Sequence, residues 1–216
     1  MLDLNQVALL CSLALLLSAV LAHSLRRCAV QRQRAAPPTP RRLLAVLGSG
    51  GHTKELLSVL RALPPALASP RAYICADTDA TSLPSARAQG VLGPADAVHR
   101  IARAREVGQS ALSAAWGTLR GFAHALRVVR AEQPRLLLVN GPGTCIPVCA
   151  AAVLLRALGL APPSLLIIFV ESVCRVDSLS VSGHAAYWLG LADVVAVQWQ
   201  QLQDRYRGTH YVGLQV

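Results

Sequence analysis

The chain has 216 residues, of which 53% are AVILMFWYC and 15% DEKR; this excludes a disordered tail, which buries too little apolar surface to offset chain entropy. Its 21 Lys+Arg and 11 Asp+Glu give a net charge of +10, unevenly placed: residues 1–25 carry only Asp3, 26–42 carry six arginines and no acid, and 43–216 hold 15 basic against 10 acidic residues. The residues from 43 onward suffice for one α/β domain and exclude two of the usual ~100–200 residues each.

From Val7 to Ala22 every residue is apolar or small, and Leu2, Leu4 and Leu25 extend the run. At ~1.5 Å per residue such a stretch spans roughly 24–28 Å, which suits a thin bilayer such as that of the endoplasmic reticulum. Asp3 precedes it, and Arg26, Arg27, Arg32, Arg34, Arg41 and Arg42 follow. This is the reverse of the charge order in a cleaved signal peptide, the alternative for this stretch. The positive-inside rule places the start of the chain in the lumen and the remainder in the cytosol. Residues 1–25 are therefore expected to form one transmembrane helix, and 26–42, ending in Ala36-Pro37-Pro38-Thr39-Pro40, a basic, semi-stiff juxtamembrane linker. With 4% aromatic residues and no basic-aromatic interleaving, no nucleic-acid partner is expected.

Beyond the linker, short apolar runs alternate with helical patterns, as in a parallel α/β sheet with crossover helices. A strand is expected at Leu43–Leu47, broken by Gly48-Ser49-Gly50-Gly51-His52, then a helix from Thr53 to Leu63, stopped by Pro64-Pro65. Ala72–Ala76 reads as a second strand, residues 80–97 as loop with one turn of helix at most, and Val98–Ala102 as a third strand. A helix over 109–131 places Leu112, Trp116, Leu119, Phe122, Ala123 and Leu126 on one face, a core-facing stripe or a membrane-surface face. Leu136–Val139 forms a buried strand entering Asn140-Gly141-Pro142-Gly143-Thr144, and an apolar helix then runs to about Leu158. Leu165–Val170, ending at Glu171-Ser172, a helix near 183–191, a strand at 194–198, a short polar helix and a strand near Tyr211-Val212 complete the pattern.

Ligands of open parallel sheets bind beyond the carboxyl ends of the strands, where helix amino termini present free N–H groups. Gly48–Thr53, Asn140–Thr144 and Glu171-Ser172 all fall at such ends. Gly48, Gly50 and Gly51 would let backbone amides approach an anion, although the loop departs from GxGxxG at Thr53 and is not a P-loop; a turn selected only for tight packing is the alternative. His52, at the start of a helix, is placed to take a proton from a hydroxyl or merely to bond within the loop. Thr144 is suited to cap the next helix. Glu171, ending an apolar strand, is expected to emerge at the rim of the site or to pair with Arg175. Cys145, Cys149 and Cys174 could in principle meet at a metal, but without a CxxC or HxxxH pattern they read as reduced, packed thiols.

Taken together, LLAVLGSGGHTKELL, YICADTD, IARAREVGQS, LLLVNGPGTCIPVC and FVESVCRVDSLSVSG, behind an apolar amino terminus, resemble the membrane-anchoring subunit of the split UDP-N-acetylglucosamine transferase of the dolichol pathway, the fourteenth asparagine-linked glycosylation protein family. The resemblance implies a single Rossmann-like domain over 43–216, the acceptor-side half of a split GT-B glycosyltransferase. The other half would be a soluble UDP-GlcNAc-binding catalytic subunit, and the acceptor dolichyl-diphosphate-GlcNAc at the cytosolic face of the endoplasmic reticulum membrane. It further implies His52 as candidate base, with Glu171 the second candidate. Gly48, Ser49, Gly50, Gly51, Thr53, Asn140, Gly141, Gly143 and Thr144 would lie around the acceptor diphosphate and sugar, and no metal or cofactor would be needed. A membrane recruiter without catalytic residues is the alternative function.

Overall fold

The computed structural model describes residues 42–64, 69–103, 111–141 and 143–214, and of 111–115 only the backbone. The chain divides into two units, residues 1–36 and 37–216, and every described residue belongs to the second. The expected transmembrane helix and nearly all of the linker lie outside the described residues. Among the described residues no helix is long and apolar enough to cross a membrane.

Among the described residues seven strands alternate with six helices: β1 (Leu43–Val46), α1 (Gly51–Ala62), β2 (Arg71–Ala76), α2 (Ser82–Ala88), β3 (Ala97–Ile101), α3 (Ala111–Glu132), β4 (Leu136–Asn140), α4 (Cys145–Ala157), β5 (Leu166–Val170), α5 (Val181–Trp188), β6 (Val194–Val197), α6 (Gln200–Arg205) and β7 (His210–Tyr211). All pairings are parallel, in the order β3-β2-β1-β4-β5-β6-β7. The strands are short, and those at the centre of the sheet are apolar because both of their faces are covered, whereas the edge strands β3 and β7 carry His99, Arg100 and His210. Alternate residues feed two cores. Leu44, Val46, Ile74, Leu137, Val139, Ile167 and Phe169 pack under α3, α4 and α5. Leu43, Ala45, Leu47, Tyr73 and Leu138 pack on the other face against Leu56, Leu57 and Leu60 of α1 and Leu83 of α2. On that second face an apolar groove lined by Val59, Leu63, Leu136, Leu138, Ile168, Val170, Ala196 and Val212 runs over β4–β6.

Two elements differ from expectation. The stretch 80–97 contains α2, nucleated by Asp79: its Oδ1 accepts hydrogen bonds from the amides of Thr81 (2.9 Å) and Ser82 (3.0 Å), satisfying donors that a helix start leaves open. In α3 the expected stripe meets the core only in part. Trp116 (62% exposed) and Leu119 (55%) face outward, while Ala125, Val128 and Val129 are buried and Phe122 and Leu126 half-buried against the core. Ala123 is exposed as well, and the side chain of Leu112 lies outside the described residues. Gly121 lies on the buried side of α3, where a Cβ would meet the carbonyl oxygen of Ala102 at 2.9 Å. Only glycine admits that approach without a shift of the neighbouring backbone.

Candidate active site

The strand order reverses between β1 and β4, so the chain leaves their carboxyl ends in opposite directions and opens a crevice. At that crevice the structure has a cavity of about 420 Å³ lined by Gly51, His52, Glu55, Gly141, Ser172, Cys174, Arg175, Ser180, Val181 and Ser182. All three of the strand-end segments singled out above thus converge on it, and the β5–α5 loop forms its far wall.

Gly50 adopts φ 63°, a left-handed turn open to glycine, and α1 starts at Gly51, two residues earlier than the sequence suggests. His52 therefore lies in the first helical turn and Glu55 one turn later. His52 Nδ1 is 2.9 Å from Asn140 Oδ1, Asn140 Nδ2 donates to Glu55 Oε2 at 3.0 Å, and the Ser172 hydroxyl donates to Glu55 Oε1 at 2.8 Å. This chain of bonds joins α1, the end of β4 and the end of β5. Gly141 has φ 75°, and a Cβ there would overlap the His52 imidazole, so glycine at this position lets the ring lie against the strand end.

Of the expected contact residues, Gly51, His52 and Gly141 line the cavity. Gly48 is buried at the base of the loop, while Ser49 is half-buried and accepts a hydrogen bond from Arg103 (3.2 Å). Gly50 and Gly143 are exposed. Thr53 turns under the loop instead: it is 2% exposed, and its hydroxyl donates to the Gly48 carbonyl. Asn140 is fully buried, with both ends of its amide engaged by His52 and Glu55. Thr144 occupies the position before α4 but makes no side-chain capping bond.

Glu171 does not emerge at the rim. It is 0% exposed; Oε1 accepts from the Ser172 amide (2.9 Å), and Oε2 from the Ser180 amide (2.8 Å) and hydroxyl (3.0 Å). Ser180 in turn caps α5 by accepting from the Gly183 amide at 2.9 Å. Among the described residues no ion pair joins Glu171 to Arg175. Burial at the strand end favours local hydrogen-bond donors over a partner on the surface, and the carboxylate fixes the cavity wall from behind.

Glu55, Ser172 and Ser180 complete the site. Glu55 carried a readable signal: a carboxylate three residues after His52 on a helix lies on the same side as the imidazole, and it directly precedes the core residues Leu56 and Leu57. Beneath the glycine loop, burial pushes the Asp79 carboxyl up, but hydrogen bonds from Ser82 and Thr81 outweigh it and hold the group below the usual carboxylate value. Cys145 and Cys149 are fully buried and Cys174 exposed; among the described residues no group of three His, Cys, Asp or Glu could hold a metal ion.

The architecture is that of a Rossmann-like parallel α/β domain with its ligand crevice at the switch point, and it resembles the GT-B glycosyltransferase fold. The MurG structure from Acinetobacter baumannii matches it with a TM-score of 0.56 at 15% identity, over 79% of this chain and 43% of that one, a likeness of fold. In sequence, the family described as "Oligosaccharide biosynthesis protein Alg14 like" matches residues 43–215, and the chain belongs to it. Among its relatives, proteins named UDP-N-acetylglucosamine transferase subunit ALG14 are 42% identical in Rattus norvegicus (83% of this chain, 87% of the relative), 39% in Homo sapiens (83% and 87%) and 36% in Yarrowia lipolytica (97% and 95%).

Proposed function

We propose that the chain is the acceptor-side subunit of a transferase that moves N-acetylglucosamine from UDP-GlcNAc to dolichyl-diphosphate-GlcNAc at the cytosolic face of the endoplasmic reticulum. The observation that carries this reading is His52, held by Asn140 at the edge of a cavity between the glycine loop and the β5–α5 loop. An imidazole anchored through Nδ1 keeps Nε2 for the substrate, and a base near neutral pH is what the reaction requires. Nε2 takes the proton of the acceptor 4-hydroxyl as its oxygen attacks the anomeric carbon, and UDP departs with inversion. The glycine-loop amides around Gly50 and Gly51, and Arg175 across the cavity, are suited to the acceptor diphosphate. Glu171, enclosed by its hydrogen bonds, shapes the cavity and transfers no proton.

The sheet corresponds to less than half of the MurG chain. In this reading a soluble subunit brings the UDP-sugar site, and residues 1–25 tether the pair to the bilayer that holds the acceptor. The test is reconstitution of the full chain on a lipid-linked acceptor with and without the UDP-sugar-binding subunit. Transfer is expected only with both present. His52→Ala is expected to leave assembly intact and lower kcat by about 10²–10⁴-fold. Full transfer by the chain alone would overturn the two-subunit reading. Full transfer by the assembled His52→Ala complex would leave the chain as a recruiter only.

A further inference from the structure

We infer that Glu55 is a positioning residue that sets the tautomer of His52 through Asn140; this rests on the reading of His52 as the base. The Glu55 side chain is 6% exposed, and both of its oxygens accept hydrogen bonds, Oε2 from Asn140 Nδ2 at 3.0 Å and Oε1 from the Ser172 hydroxyl at 2.8 Å. A carboxylate only accepts, so it selects the orientation of the Asn140 amide, with NH₂ toward Glu55 and Oδ1 toward the imidazole. The oxygen 2.9 Å from His52 Nδ1 then requires a proton on Nδ1 and leaves the lone pair on Nε2. Each link has a fixed polarity, and the polarity originates at Glu55. Asn140 alone could not impose it, because an amide free to turn would satisfy either tautomer.

Glu55→Gln keeps the shape of the side chain and, through Oε1, its bond from Ser172, while presenting NH₂ toward Asn140. Asn140 then turns its own NH₂ toward Nδ1, and the imidazole carries its proton on Nε2, where it cannot act as a base. Asn140→Asp in the same chain restores the direction: the introduced carboxylate accepts both from the introduced glutamine amide and from Nδ1–H. Asn140→Asp by itself sets two carboxylates face to face.

The experiment measures kcat and KM for the full chain assembled with its UDP-sugar-binding subunit, comparing the parent with Glu55→Gln, Asn140→Asp, the double variant and His52→Ala. Glu55→Gln is expected to lower kcat by about 10²-fold or more, as wrong-tautomer substitutions beside a catalytic imidazole do, with KM within about threefold. The double variant is expected to regain at least about tenfold in kcat over either single variant. Where Glu55→Gln assembles poorly, the same coupling is read as the gain on adding Glu55→Gln to Asn140→Asp. A Glu55→Gln complex at parental kcat, or a double variant no better than its parents, overturns the inference while His52→Ala, if inactive, upholds the base. An active His52→Ala complex overturns both.

Discussion

The buried thiols show burial as the largest influence on their reactivity. Burial pushes the Cys145 thiol up to about 12. Cys149 rises well above its ordinary value through burial, with Cys145 and Asp193 adding to it, and burial likewise raises Cys75. Reaction needs the thiolate, and a raised thiol holds less of it at neutral pH than an exposed one. Brief iodoacetamide treatment of the folded protein, followed by peptide mapping, is expected to label the exposed Cys174 and spare Cys75, Cys145 and Cys149, with all four labelled in denaturant. Asp79 supplies a pH dependence of definite sign. Its carboxyl is depressed in the fold, so its contribution is present above the unfolded value and is lost as pH falls through the lower folded value. Asp79→Asn is expected to cost about 1–3 kcal/mol at neutral pH and to flatten the acid limb of urea-denaturation stability below pH 3.8, the ordinary carboxyl value. His52 and the glycine loop could be read in the sequence because their chemistry is local. The link from Asn140 to Glu55 spans 85 positions, and only the pairing of β1 with β4 brings them together. Glu171 misled for a related reason: its partner Ser180 lies nine positions further on, across a loop whose path no local pattern reveals.

At the scale of elements, apolar runs located every strand to within a residue or so, since continuous Val/Ile/Leu stretches bounded by Gly and Asp have few alternatives. Helix faces were less legible. The period of α3 is compatible with more than one orientation, and the one adopted brings Gly121 close to the Ala102 carbonyl. Nor did the pattern expose the ion pair that pins α4 to the sheet. Arg156 pairs with Asp193 through Nη1–Oδ2 (2.7 Å) and Nη2–Oδ1 (3.1 Å), side chains 7% and 8% exposed. Arg156 also donates to the Leu165 carbonyl, and Asp193 accepts from the Ile167 amide at 2.8 Å. The pair therefore ties the last turn of α4 to both β5 and the entry of β6. Removing one member takes a close opposite charge from the other, which stays buried. Arg156→Met is expected to destabilise the domain by about 3–5 kcal/mol, read as a fall in the urea midpoint at unchanged slope. Arg61→Ala on the exposed face of α1 should change stability by less than about 0.5 kcal/mol.

For the molecule as a whole, the strand order was not legible: alternating strands and helices imply a parallel sheet but leave open where the order reverses, and that reversal creates the cavity. What the charge pattern does support is a tether. If residues 1–25 hold the cavity beside an acceptor confined to the bilayer, the anchor acts through effective concentration and contributes nothing to the chemical step. Two assays separate these effects. Exchanging residues 1–25 for a soluble tag is expected to release the assembled complex from membranes and to lower its rate on vesicle-embedded acceptor about tenfold or more. Its rate on a water-soluble short-chain acceptor should stay within about twofold of the parent, since the cavity residues are untouched. Equal losses on both acceptors would place the amino terminus in the reaction itself. Retention of the tagged complex on vesicles would shift the anchor to the outward face of α3, where Trp116 and Leu119 stand exposed beside Arg120, and Trp116→Ser in that background should then release it.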